Sequence, residues 1–148
     1  DVKALIDDLE TREIITSKEK EAINPWVIFK FTQSNIWNEL KEAKECHKEE
    51  AFYINVPAKD VMDTTLDENI LVQGIIDLYY ITKNDELVLL DYKTDFVSQD
   101  ENDAKLELIS KHKPQLMLYK EALENGLNRN VDRVWIYSTG LGREILVK

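Results

Sequence analysis

The residues best suited to chemistry stand inside the most apolar stretches of the chain. Ile70–Thr82 and Glu86–Tyr92 are almost wholly apolar or β-prone, yet each carries an acid: Asp77 after Gly74-Ile75-Ile76, and Asp91 after Leu89-Leu90. Burying a carboxylate is costly unless it is paired or bound to metal. Asp91 and Lys93 are two apart, so they share one face of a strand. Asp77 joins that face only if residue 91 or 93 stands opposite it. That requires a connecting loop with an odd number of residues, three or five, or a bulge. A two-residue turn at Asn84–Asp85 would instead set Asp77 opposite Tyr92, facing away from Asp91. Two carboxylates and a lysine on one face make a workable phosphodiester site. The carboxylates suit Mg²⁺, with Mn²⁺ as a substitute, and the ion would lower the pKa of a bound water. Lys93 would orient that water or stabilise developing negative charge. The plainer reading is an Asp–Lys salt bridge at a sheet edge.

The elements that must position these residues follow from the hydrophobic periods. Residues 2–10 read as a short helix, and Thr16 with Glu19 as a capping box opening a second. Asn24–Pro25 starts another segment with proline at the first helical position. Residues 34–46 carry Ile36, Leu40 and Ala43 at helical spacing, so the opening 48 residues are mostly helical. Phe52, Ile54 and Val56 then alternate as a strand ended by Pro57, and residues 57–69 form a loop. The two acid-bearing runs form a hairpin about Lys83-Asn84-Asp85, apolar on both faces and so covered on both. After a loop over 93–104, residues 105–125 read as helical with a break at Pro114 and an end at Gly126. Val131–Tyr137 and Glu144–Val147 supply a last pair of strands around the Ser138–Gly142 turn. Helices, strands, helix, strands make an α/β sandwich with a mixed sheet.

Composition bounds the function. A chain of 148 residues, 43% hydrophobic, is sized for one folded domain. No apolar run approaches the ~20 residues that span a bilayer, and no signal-peptide pattern opens the chain. Asp1 rather than a methionine opens it, which reads as a piece of a longer protein. The lone cysteine, Cys46, excludes an internal disulfide and a four-cysteine metal site, and fits a reducing cytoplasm. With glycine only at 74, 126, 140 and 142, no phosphate-binding G-x-x-x-x-G-K-[S/T] loop exists. A net charge of −10 opposes nucleic acid as a partner. The charge is uneven, however: residues 1–100 hold 22 acids against 11 bases, and residues 101–133 six of each. A DNA-facing surface is therefore expected around Lys105, Lys111, Lys113 and Lys120. Trp26, Trp37 and Trp135 read as core or interface aromatics rather than base-stacking platforms.

Val72-Gln73-Gly74-Ile75-Ile76-Asp77, then Leu89-Leu90-Asp91-Tyr92-Lys93-Thr94-Asp95, then Gln115-Leu116-Met117-Leu118-Tyr119 closely resemble, in order and spacing, the RecB-family nuclease motifs of the PD-(D/E)XK superfamily. The resemblance spans about residues 49–125 and is greatest to the C-terminal nuclease domain of AddA-type helicase–nuclease subunits. It implies a restriction-endonuclease-like mixed β-sheet flanked by helices, forming a single nuclease domain over 1–148 with its catalytic core in 49–148. It implies an Mg²⁺-dependent exonuclease cutting single-stranded DNA during double-strand-break resection, with a helicase motor earlier in the chain and an AddB-type partner. Asp77 and Asp91 would be metal ligands with the Tyr92 carbonyl, Lys93 the catalytic lysine, and Gln115 and Tyr119 contacts to DNA or braces of the site. Glu49 is similar to an acidic position on an earlier strand. The family also carries a histidine ligand on a helix before the first strand. His47, after a charged helix end, and His112, in Lys111-His112-Lys113, read as surface or phosphate-facing residues instead. The histidine is expected upstream of Asp1, which would leave this piece weakly active. The competing readings are a non-catalytic docking module of the same fold and an unrelated acidic α/β binding domain, which would set Asp77 and Asp91 apart.

Overall fold

The computed structural model describes residues 1–98 and 100–148. Four helices open the chain: α1 (Val2–Thr11), α2 (Ser17–Ala22), α3 (Pro25–Thr32) and α4 (Asn35–Lys41). Their starts are written locally. Thr16 and Glu19 form the capping box, with Thr16 N donating to Glu19 Oε2 at 2.7 Å and Glu19 N to Thr16 Oγ1 at 3.2 Å. Asn24 caps α3 through Trp26 N at 3.0 Å, and Ser34 caps α4 through Trp37 N at 3.1 Å.

The remaining elements are β1 (Glu45–Pro57), a short helix α5 (Ala58–Val61), β2 (Asn69–Ile81), β3 (Leu87–Lys93), α6 (Glu101–Leu127), β4 (Arg133–Ser138) and β5 (Arg143–Leu146). The five strands form one sheet in the order β1-β2-β3-β4-β5, antiparallel except for the parallel β3–β4 pair. That parallel pair needs a crossover, which α6 supplies. On one face α6 sets Leu108, Leu116 and Leu123 against Leu87, Leu89, Val134 and Ile136. On the other, Ile36 of α4, with Phe31 and Leu40, covers Leu78, Tyr80, Val88 and Leu90. The mixed sheet flanked by helices is the expected architecture.

Several boundaries differ from the sequence reading. The helix expected over 34–46 stops at Lys41, and β1 already begins at Glu45, ahead of the proposed core boundary at 49. Glu45–Glu50 is charged, and an edge strand tolerates that because one side of it faces water. The 57–69 loop contains α5. Of the 93–104 loop, residue 99 lies outside the described residues, and α6 starts at Glu101 with Asp100 as its cap. Pro114 does not break α6. It sits on the exposed side, where a proline bends a helix away from solvent without disturbing the packed face. Gly126 lies inside the last turn, and the left-handed cap is Asn128, at φ 49°.

Burial of the hairpin on both faces holds for only part of it. Leu71 and Ile75 of β2 and Tyr53 of β1 are 63%, 57% and 67% exposed on a bare face. The alternation changes phase along both strands. Phe52, Ile54 and Val56 with Ile70, Val72 and Ile76, all even-numbered, face α6, but beyond them odd-numbered Tyr79 and Ile81 do so. The change falls where the ladder skips from Lys48↔Leu78 to Glu50↔Ile76, leaving Glu49 and Asp77 unpaired between them. Glu49 has φ 52°, a left-handed conformation that interrupts extended backbone.

Candidate active site

The hairpin register comes out odd. Ile81 pairs with Leu87 and Leu78 with Leu90, so five residues, 82–86, connect the strands and Asp77 falls level with Asp91. Thr82 organises the loop, its N donating to the Glu86 carbonyl and its Oγ1 accepting from Asn84 N and Glu86 N. Strand pairing stops before Asp77, and its carboxylate takes over the backbone's role: Tyr92 N donates to Asp77 Oδ2 at 2.9 Å.

Asp91 is buried, 2% exposed, and its Oδ2 lies 2.6 Å from Lys93 Nζ. Burial lifts the Asp91 carboxyl above the usual carboxylate range. The nearby Asp77 charge adds to this, and Lys93 and His112 oppose it. Lys93 Nζ also donates to Gln115 Oε1 at 2.9 Å, which fixes the ammonium between β3 and α6. Tyr119, one helical turn after Gln115, packs edge-to-face on Phe52 with centroids 5.1 Å apart. Burial pushes its phenol up, and the charges of Asp91 and Asp77 add to the shift. Gly74 is what allows the packing on Phe52: a Cβ there would meet Phe52 at 2.6 Å.

Asp77, Glu49, Lys48 and Tyr92 line a cleft of about 700 Å³ whose other wall is Phe31, Trp37 and Leu40. Tyr92 leans on Phe31 with centroids 5.4 Å apart, and burial raises its phenol to about 12. Asp77, at the interruption of the β1–β2 ladder, is thus open to the cleft, and Lys93 and Gln115 close on Asp91 from the α6 side. Asp77, Asp91, Lys93, Gln115 and Tyr119 converge, with the Tyr92 backbone between the two acids.

Other sequence expectations fare differently. His47 stands in β1 rather than after a helix end, stacked on Tyr79 at 4.6 Å. His112 is not solvent-facing: its side chain is 13% exposed and Nε2 lies 3.0 Å from Asp95 Oδ2. Lys111 donates to the same carboxylate, which holds Asp95 below the usual range. This Asp95–Lys111–His112 anchor was missed. Its signal was a Lys-His pair one helical turn before Gln115. The lysines expected to face DNA are mostly engaged: Lys105 with Glu101, Lys111 with Asp95 and Lys120 with Glu124. Of the tryptophans, Trp26 is 59% exposed rather than buried.

The chemistry of the donors fits a divalent cation in part. Asp77 and Asp91 offer hard carboxylate oxygens, and in the buried Asp91 they are already set against one cation, the Lys93 ammonium. Among the described residues no group of three or more His, Cys, Asp or Glu gathers as a complete metal cage. No helix of the described residues is long and apolar enough to cross a membrane.

Residues 2–143 match the family model of the PD-(D/E)XK nuclease superfamily. The chain is 38% identical over 146 residues to a Clostridium acetobutylicum protein named as an ATP-dependent helicase/nuclease subunit, covering 94% of this chain and 11% of that one. The proteins of the same name from Clostridium botulinum and Clostridioides difficile are 34% and 32% identical, over 93% and 98% of this chain and 11% and 12% of theirs. The chain thus spans about a tenth of the length of these relatives. With the motif residues of β2, β3 and α6 brought together and the family model matched over nearly the whole length, the chain belongs to the PD-(D/E)XK nuclease superfamily.

Proposed function

We propose that this domain is a metal-dependent deoxyribonuclease, an exonuclease acting on single-stranded DNA. The observation that carries this reading is the convergence of Asp77, Asp91, Lys93 and Gln115 where β2 and β3 meet α6. PD-(D/E)XK nucleases generally use divalent metal ions. Asp77, Asp91 and the Tyr92 carbonyl would hold one, Mg²⁺ or Mn²⁺. When bound it supplies a more acidic water and neutralises charge on the phosphate. Lys93, already held by Gln115, donates to the attacking water or to a non-bridging phosphate oxygen as negative charge builds there. Gln115 keeps the ammonium in place and Tyr119 braces Phe52 of β1, and either contacts the DNA backbone as it enters. The relatives' name, helicase/nuclease subunit, supports a place beside a helicase in a multi-subunit enzyme; a cytoplasmic setting, double-strand-break resection and an AddB-type partner are part of the proposal.

The test is Mg²⁺- or Mn²⁺-dependent cleavage of labelled single-stranded DNA by this chain, by a chain lengthened at its N-terminus to bring in a histidine, and by Asp91→Ala versions of both. Cleavage that falls at least about 100-fold in Asp91→Ala supports the reading. No cleavage by either folded chain, at any metal concentration, overturns it in favour of a non-catalytic module.

A further inference from the structure

Phe96 is fully exposed, at 106% of its reference area, three residues beyond Lys93. Scattered surface apolar residues are ordinary, but the backbone around this one is anchored. The Asp95 carboxylate is held by Lys111 and His112. The Asp95 carbonyl and Val97 Cγ2 pack so closely on Gly140 that a Cβ there would stand 3.1 and 3.3 Å from them. Val97 packs on the α6-side core, and Ser98 Oγ donates to Glu107 Oε1 at 2.6 Å. The ring's position is therefore fixed while the ring itself stays in water. It borders a shallow depression shared with Leu106, which is 66% exposed.

From Lys93 to Phe96 the chain reaches at most about 11 Å. Even in a duplex the phosphates of one strand repeat every ~3.4 Å of helix axis and a single strand is more extended, so a base no more than about three nucleotides from the site can meet the ring. Charge is a poor holder of DNA here: the net charge is −10, and Lys105 and Lys111, on the stretch of α6 beside the ring, are paired with acids. Aromatic stacking grips a base without needing positive charge. We propose that Phe96 is a stacking platform for a nucleobase of the strand whose phosphate lies at Lys93. This rests on the nuclease reading and adds its substrate preference, because bases within a duplex already have their faces covered.

The experiment measures binding of a single-stranded oligonucleotide carrying 2-aminopurine, without divalent ions so that no cleavage is needed. Phe96→Ala should weaken binding about tenfold and lose the fluorescence quench. Phe96→Trp should keep both, and an abasic strand should bind wild type and Phe96→Ala alike. Equal binding of the natural strand by wild type and Phe96→Ala overturns the proposal, as does an equal loss on the abasic strand. Unchanged binding is also what a protein partner covering the ring would give. Failure of the nuclease reading shows separately, as cleavage indifferent to Asp91→Ala.

Discussion

The β2–β3 half of the hairpin and the β1–β2 ribbon share a strand but live in different surroundings. Between Leu78 and Ile81, β2 lies under helices on both faces, as do Leu87–Leu90 of β3. From Asn69 to Ile76 the same strand has α6 on one face and water on the other, with Leu71 and Ile75 exposed. Glu49 and Asp77 mark the border, and the candidate site sits there. A carboxylate deep in the doubly covered half would have no water or cation to offset desolvation. One on the bare ribbon would have no helix to bring Lys93 and Gln115 against it. At the border the ladder is interrupted and Asp77 is free to accept from Tyr92 N, while Asp91 lies one strand inward, raised by its burial and 2.6 Å from the Lys93 ammonium.

This contrast can be broken by measurement. Leu90→Ala, in the doubly covered half, should cost about 2–5 kcal/mol in urea unfolding, because neither helix layer can collapse into the space. A loss under 1 kcal/mol would show that this half is not tightly packed. Gly74→Ala drives a methyl into the Phe52 ring and should cost about 1–3 kcal/mol, with Tyr119 displaced and Lys93-dependent cleavage reduced. Unchanged stability and activity would mean that Phe52 moves aside freely. Glu49→Gly removes the left-handed penalty at φ 52° and should raise stability by about 1 kcal/mol, with Glu49→Val lowering it. The reverse order would mean that Glu49 is not strained at the border. Leu71→Ala on the bare face should stay within about 0.5 kcal/mol of wild type. A larger loss would show that this face is covered in solution.

Much of this arrangement is legible in the residues. The capping box at Thr16 and the Asn24–Pro25 start are local, because each side chain bonds a backbone group within three residues of itself. The odd loop is reached from function back to register: two acids and a lysine share a face only with an odd loop or a bulge, and Ile81↔Leu87 makes the loop odd. The sequence missed β1's charged beginning, because an edge strand carries a weaker alternation signal than a buried one. Pro114 misled because the rule against internal proline assumes an unsupported helix, whereas Leu108, Leu116 and Leu123 pin α6 to the sheet on either side of it.

Residue type and spacing alone determined which strands carry the acids, that Asp91 and Lys93 share a face, and which family the chain belongs to, since these depend on periods of two and on motif order. The tertiary structure decided the phase change at Glu49 and Asp77, the delivery of Gln115 to Lys93 across 22 residues, the clamp of Asp95 by Lys111 and His112, and the pairing of the lysines with acids. These depend on how α6 lies across the sheet, and packing between distant segments leaves no periodic trace in the chain.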